Sequence, residues 1–153
     1  MKITYKNGDL FYFSEKALAH GCNARGVMGS GVAKIVKEKY PEAYFAYRTA
    51  FETTGLQLGT TLWVKIGEKF IINAITQQDY GRKNKLYVSY DAIRKCIREI
   101  NSVCFETQIP DGENITSVAF PKIGAGLANG DWEIIEKIIE EESIDFIPVV
   151  YCL

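Results

Sequence analysis

Hydrophobic positions along the chain follow two rhythms that alternate from one end to the other. Lys2-Ile3-Thr4-Tyr5-Lys6 alternates polar and apolar, the period of a half-buried strand, and Asn7-Gly8-Asp9 closes it with turn residues. Ala17-Leu18-Ala19-His20-Gly21-Cys22 is short and mostly small and apolar, which suits a buried strand. Helical spacing takes over from Val32 to Lys39. Pro41 breaks that pattern and opens a second helix, which runs through Tyr44, Tyr47 and Phe51 to a stop at Gly55. Two β-rich runs follow, Thr60 to Ile66 and Phe70 to Ile75, joined by Gly67-Glu68-Lys69 as a hairpin. Thr76 to Leu86 is polar and reads as a loop. Val88 to about Cys104 places Ile93, Ile97 and Ile100 on one helical face. Pro110-Asp111-Gly112 marks a turn in the polar segment Glu106 to Asn114. A strand over Thr116 to Phe120, a loop over Pro121 to Gly130, a helix over Asp131 to Glu142 and a strand over Phe146 to Tyr151 complete the chain. Pro148, which cannot donate to a ladder, predicts that the last strand is distorted or lies at an edge.

Strands that alternate with helices, with one hairpin among them, predict an α/β fold: a three-layer α/β/α sandwich on a mixed central sheet of about six strands. Such sheets bind ligands at the carboxyl ends of their strands, where loops turn into helices.

Composition narrows the function classes. The chain has 153 residues, 47% of them hydrophobic, which fits one domain able to bury its own core without a disulfide or a metal. Lys and Arg total 18 against 19 Asp and Glu, so net charge gives no general grip on nucleic acid. The first residues lack the apolar stretch of a secretory signal, and no apolar run approaches membrane-helix length. Cys22, Cys96, Cys104 and Cys152 are widely spread and His20 is the only histidine, which argues against a zinc site and suits reduced thiols in the cytoplasm. No metal and no cofactor are expected, and a monomer is.

Two glycine-rich strand-to-helix turns carry the candidate chemistry. The first runs from Asn23 to Gly31, and the second is Gly124-Ala125-Gly126-Leu127-Ala128-Asn129-Gly130. Glycine lets backbone N–H groups converge on an anion, and a helix N-terminus adds partial positive charge. Two such turns on one sheet edge suit the two phosphates of a pyrophosphate, although each could equally be a plain tight turn. Neither contains the G-K-[ST] ending of a P-loop.

The sequence His20-Gly21-Cys22-Asn23-Ala24-Arg25-Gly26-Val27-Met28-Gly29-Ser30-Gly31-Val32-Ala33 resembles the first ligand loop of macro domains, the ADP-ribose-binding modules. Phe120-Pro121-Lys122-Ile123-Gly124-Ala125-Gly126-Leu127, with Gly130-Asp131-Trp132, is similar to their second loop. Ile3-Thr4-Tyr5 to Gly8-Asp9-Leu10, Tyr40-Pro41 and Val149-Val150-Tyr151 extend the likeness over essentially the whole chain. It is strongest toward the yeast-type ADP-ribose-1″-phosphate phosphatases and the terminal ADP-ribose glycohydrolases, which include DNA de-ADP-ribosylating antitoxins.

The resemblance implies roles. Asp9 would accept from the adenine amine and Leu10 would offer backbone to the ring. Asn23 would meet the distal ribose, with Gly29, Ser30 and Gly31 beside it and the pyrophosphate. Gly124, Ala125, Gly126 and Leu127 would wrap the pyrophosphate. Met28, Val32, Thr76, Gln77, Pro121 and Ile123 join the same ligand-lining set, and Tyr151 and Tyr80 are aromatic candidates. His20 matches a histidine of the phosphatase branch and titrates near neutrality, which fits proton transfer; the alternative is a satisfied buried imidazole. Asp131 is the second catalytic candidate, or the cap of the following helix. Asp79 is a further acid within reach. The glycohydrolase branch uses a lysine and an aspartate where this chain has Gln77 and Ala128, which counts against a covalent lysine mechanism. Lys83 and Lys85 lie nearby and read as solvated.

The implied function is therefore hydrolysis of ADP-ribose derivatives, with ADP-ribose 1″-phosphate first. Removal of ADP-ribose from protein or nucleic acid, and non-catalytic ADP-ribose reading, are the alternatives. An α/β protein gripping other phosphates, such as RNA, is the reading outside the family. The expected partners are ADP-ribose or its 1″ conjugates, which include ADP-ribosylated protein or nucleic acid, and no membrane.

Overall fold

The computed structural model describes residues 1–153. Strands β1 (Thr4–Asn7), β2 (Ala17–Asn23), β3 (Thr61–Ile66), β4 (Lys69–Gln77), β5 (Ser117–Phe120) and β6 (Ile147–Cys152) alternate with helices α1 (Gly31–Lys39), α2 (Pro41–Thr53), α3 (Tyr90–Thr107) and α4 (Trp132–Glu142). A single 3-10 turn, Leu10–Tyr12, follows β1. The strands form one sheet of order β1-β6-β5-β2-β4-β3. All neighbours run parallel except β3, which pairs antiparallel with β4 across the hairpin. The mixed three-layer sandwich is the architecture the alternation predicts.

Strand alternation sends side chains to opposite faces, and the two faces carry separate cores. Ala17, Ala19, Ile72 and Val118 pack with Ile93, Ile97 and Ile100 of α3 and Ile135 and Ile139 of α4. Leu18, Ile71 and Ala119 pack with Val36 of α1 and Ala43 of α2 on the other side. The helices end where the chemistry changes. Ser89 caps α3 by accepting from Ala92 N at 3.1 Å, and Gly55, with φ of 79°, closes α2 by donating to Ala50 O at 2.8 Å.

Two expectations are corrected. β6 is an interior strand between β1 and β5, not an edge. Ile147 N donates to Thr116 O toward β5, so the nitrogen of Pro148 faces the β1 side, where pairing starts only at Thr4↔Val149. The missing donor therefore falls just beyond the neighbouring strand and costs no ladder bond. β4 also continues two residues beyond Ile75, into the segment that reads as a loop. The register steps from Cys22↔Ile75 to Asn23↔Gln77, so Thr76 is an extra, bulged residue that polarity alone disguises as loop.

Candidate functional site

Five parallel strands end at one edge of the sheet, and the connections that leave them build a cleft of about 540 Å³ between β2, β4 and β5. Its walls come from three segments: Asn23 to Ala33 after β2, Gln77 to Arg82 after β4, and Pro121 to Ala128 after β5.

The first loop is held by Asn23. Its side-chain oxygen accepts from Arg25 N at 2.9 Å and from the Tyr47 hydroxyl at 2.8 Å, and its Nδ2 donates to Val27 O at 2.8 Å. Asn23 thus builds the loop as well as lining the cleft. Gly26, at φ of 75°, passes so close to Phe51 that an added Cβ would sit 2.7 Å from its ring. The loop delivers the N-terminus of α1 to the cleft: Ser30 occupies the cap position with its hydroxyl not engaged on the helix, and no acid sits in the first turn. The backbone N–H groups of Gly29, Ser30 and Gly31 donate to no other backbone oxygen.

The second loop folds on itself. Ile123 N donates to Pro121 O, Ala125 N to Lys122 O, Asn129 N to Gly126 O and Gly130 N to Gly124 O. That leaves the N–H groups of Gly124, Gly126, Leu127 and Ala128 without a backbone acceptor. Gly124 lines the cleft, and both sets of unmatched donors belong to loops that form its wall. No Asp or Glu lines this cleft, and its charged side chains are Arg82 and Lys122. An anion finds donors and cations there, and no competing carboxylate.

Asn23, Gly29, Ser30, Gly31, Val32, Gln77, Pro121, Ile123, Gly124, Gly126 and Leu127 of the expected set come together in the wall. Ala125 stays on the loop but outside the wall. Asp9, Leu10 and Tyr151 lie on the same edge beyond it, at the ends of β1 and β6, where Gly8 N donates to Cys152 O at 2.8 Å. Asp9 caps the 3-10 turn by accepting from Phe11 N, Leu10 is buried in the α1/α2 core, and the Tyr151 hydroxyl donates to Glu15 at 2.6 Å. Met28 is buried beneath the first loop. Thr76 is fully buried, its hydroxyl the one buried side-chain polar atom without a hydrogen-bond partner, beside Gly21 at the cleft floor.

Neither catalytic candidate reaches the cleft. Strand alternation turns His20 under α2, where it is fully buried: Nε2 bonds to Asn73 Oδ1 at 2.7 Å, and Asn73 Nδ2 donates to Ala43 O at 3.0 Å. Because Asn73 spends its amide on Ala43, its oxygen accepts and His20 is the donor. Burial lowers the imidazole pKa to about 4, partly opposed by that bond, so the ring is neutral at pH 7. Asp131 caps α4 by accepting from Glu133 N at 3.0 Å and lines a separate surface groove with Tyr90 and Arg94. Asp79 is turned toward Arg25, whose Nε lies 2.6 Å from its Oδ1 and holds its pKa down. Cys22 lines the cleft, but its thiol lies 3.7 Å from His20 Nε2 and burial pushes its pKa well up, so it is not a thiolate nucleophile. Gly21, Gly81, Arg82 and Lys122 also line the cleft, outside the set expected from the sequence. The available signal was Tyr80-Gly81-Arg82, a glycine between an aromatic and a cation on a loop at the carboxyl edge.

The macro domain family model matches residues 19–139, which contain both ligand loops. This chain is a macro domain. An ADP-ribose 1″-phosphate phosphatase of Lodderomyces elongisporus is 29% identical over 158 residues, covering 95% of this macro domain and 96% of the yeast protein. A DNA ADP-ribosyl glycohydrolase of Mycobacterium tuberculosis is 34% identical over 139 residues, 88% of this chain, which spans only 37% of that protein's length. Among solved structures, a Bacteroides thetaiotaomicron protein of unknown function superposes with a TM-score of 0.86 at 30% identity, over 100% of this chain and 99% of that one. The macrodomain of Mycobacterium tuberculosis DarG gives 0.81 at 30% identity, over 99% and 97%.

Proposed function

We propose that this macro domain binds ADP-ribose along the carboxyl edge of its sheet and hydrolyses 1″ conjugates, with ADP-ribose 1″-phosphate as the preferred substrate. The observation that carries this reading is the pair of loops whose N–H groups have no acceptor within the backbone, in a cleft lined by Arg82 and Lys122 and by no carboxylate. The near full-length likeness to yeast phosphatases supports the same choice, as do Gln77 and Ala128 in place of the glycohydrolase lysine and aspartate.

In this reading the loops hold the pyrophosphate and the distal ribose, and the 1″-phosphate extends toward the end of β4. Water attacks phosphorus, the bond from phosphorus to the 1″ oxygen breaks, a proton of the attacking water passes to that oxygen, and ADP-ribose and phosphate leave. Charge spreads over the phosphoryl oxygens in a loose transition state, so fixed donors matter more than a strong base. Gln77 is suited to orient the water: its Nε2 is fixed on Asp79 O at 2.7 Å, which leaves its Oε1 to accept. His20 takes no part, being buried, neutral and held at Nε2 by Asn73.

The test is calorimetry with ADP-ribose, followed by turnover of three substrates: ADP-ribose 1″-phosphate, ADP-ribosylated protein and ADP-ribosylated DNA. Binding with phosphate release as the fastest reaction is expected. No ADP-ribose binding, or ADP-ribose release from DNA or protein with the 1″-phosphate untouched, rejects the proposal.

A further inference from the structure

The connection from β4 to α3 forms one wall of the cleft and is tied to the loops after β2 and β5. On the β2 side, Arg25 pairs with Asp79, and Ala24 N donates to the carbonyls of Gln77 at 2.9 Å and Gln78 at 3.2 Å. On the β5 side, Asn129 Nδ2 donates to Lys85 O at 2.7 Å and Lys83 O at 3.3 Å, and Tyr87 N donates to Ala128 O at 2.9 Å. Gly81 lies so close to the Tyr87 hydroxyl that a Cβ would clash with it. These ties set Tyr80 and Arg82 into the cleft wall.

Arg82 stands apart from the other arginines. The chain has five, and Arg25, Arg48, Arg94 and Arg98 each hold a carboxylate. Arg82 holds none, and no acid lines the cleft it enters. An arginine whose fork is not taken by a carboxylate is suited to a phosphate, which it can grip bidentately.

Strand order fixes which end of the ligand Arg82 would meet. Along the carboxyl edge the connections succeed one another as β1, β6, β5, β2, β4. With the pyrophosphate between the β5 and β2 loops and the adenine toward Asp9 and Tyr151, the 1″ end points to β4 and its strap.

We propose that Arg82 is the specificity-determining residue for the 1″ substituent, its guanidinium binding the phosphate of ADP-ribose 1″-phosphate. This rests on the function proposed above. The test compares wild type with Arg82→Ala and Arg82→Lys, measuring KM and kcat for phosphate release and, by calorimetry, affinity for ADP-ribose. The expected result for Arg82→Ala is a KM raised roughly 10- to 100-fold, the range of a charge-assisted bond, with ADP-ribose affinity within about twofold of wild type. Arg82→Lys should recover part of the loss. An unchanged KM overturns the inference while leaving the proposed function intact. A parallel fall in ADP-ribose affinity also overturns it, because Arg82 would then serve the pyrophosphate or the loop itself. If wild type releases no phosphate, the proposed function fails, and ADP-ribose 1″-phosphate becomes a stable calorimetric ligand. A wild-type preference for it over ADP-ribose that vanishes in Arg82→Ala then supports the Arg82 role, and no preference overturns it.

Discussion

His20 couples the stability of the fold to pH. Its folded pKa lies at about 4, lowered by burial, against an ordinary value of 6.5. The unfolded chain therefore takes up a proton between pH 6.5 and 4 that the folded chain refuses. The stabilisation is complete above pH 6.5 and is lost as pH falls toward 4, with a total on the order of 3 kcal/mol. Urea melts across that window should show the fall in wild type and a flatter profile in His20→Gln, which does not titrate. An imidazole NMR titration of wild type should stay flat down to pH 5; a midpoint near 6.5 would refute the assignment. The same residue marks a limit of one-dimensional reading. His20-Gly21-Cys22-Asn23 puts a histidine next to a ligand loop in sequence, but alternation along β2 sends Gly21 to the cleft and His20 beneath α2. Position along the chain was legible, and the side of the sheet was not. Asp131 was legible as a cap, because an aspartate just before a helical period has that use whatever lies nearby.

At the scale of elements, the second ligand loop depends on glycine in a way that can be measured. Gly124 has φ of 77°, and an added Cβ would lie 2.9 Å from Val88 Cγ2, 3.0 Å from Ile93 Cδ1 and 3.1 Å from Ile135 Cδ1. Gly124→Ala should cost about 2 kcal/mol in urea unfolding, from the left-handed backbone and the crowding of the α3/α4 core. It should also weaken ADP-ribose binding under conditions where the variant remains folded. Full ADP-ribose affinity with normal stability would mean that the loop has room the structure does not show. Helix spans and the hairpin were legible because apolar residues keep a period. The end of β4 was not, since Thr76 and Gln77 are polar and held by pairing to β2 and by the bond from Ser89 N to Thr76 O at 2.8 Å. Pro148 misled for a related reason: proline reports a missing donor, and only the register of β1 shows that no partner stood opposite it.

Across the whole molecule, charge is nearly balanced at -1, yet its arrangement is not uniform. Acids concentrate elsewhere, as on α4, where Glu141 and Glu142 take up Arg94 and Arg98, while the cleft keeps Arg82 and Lys122 and no acid. The balance read from composition therefore excluded a general polyanion surface without excluding a local anion site. Under the proposed function two kinds of attraction would operate in one cleft. The pyrophosphate would meet oriented N–H groups on short, fixed loops, and such contacts between partly buried groups are screened weakly. The 1″-phosphate would meet the exposed Arg82 guanidinium, whose attraction falls as the Debye length shrinks from about 10 Å at 0.1 M salt to about 3 Å at 1 M. Raising salt over that range should increase KM for ADP-ribose 1″-phosphate by a larger factor than it increases the ADP-ribose dissociation constant. In Arg82→Ala the two salt dependences should converge. Equal slopes in wild type would show that one electrostatic source serves both ends of the ligand, and would place the recognition of the 1″ group in the backbone loops instead of the strap.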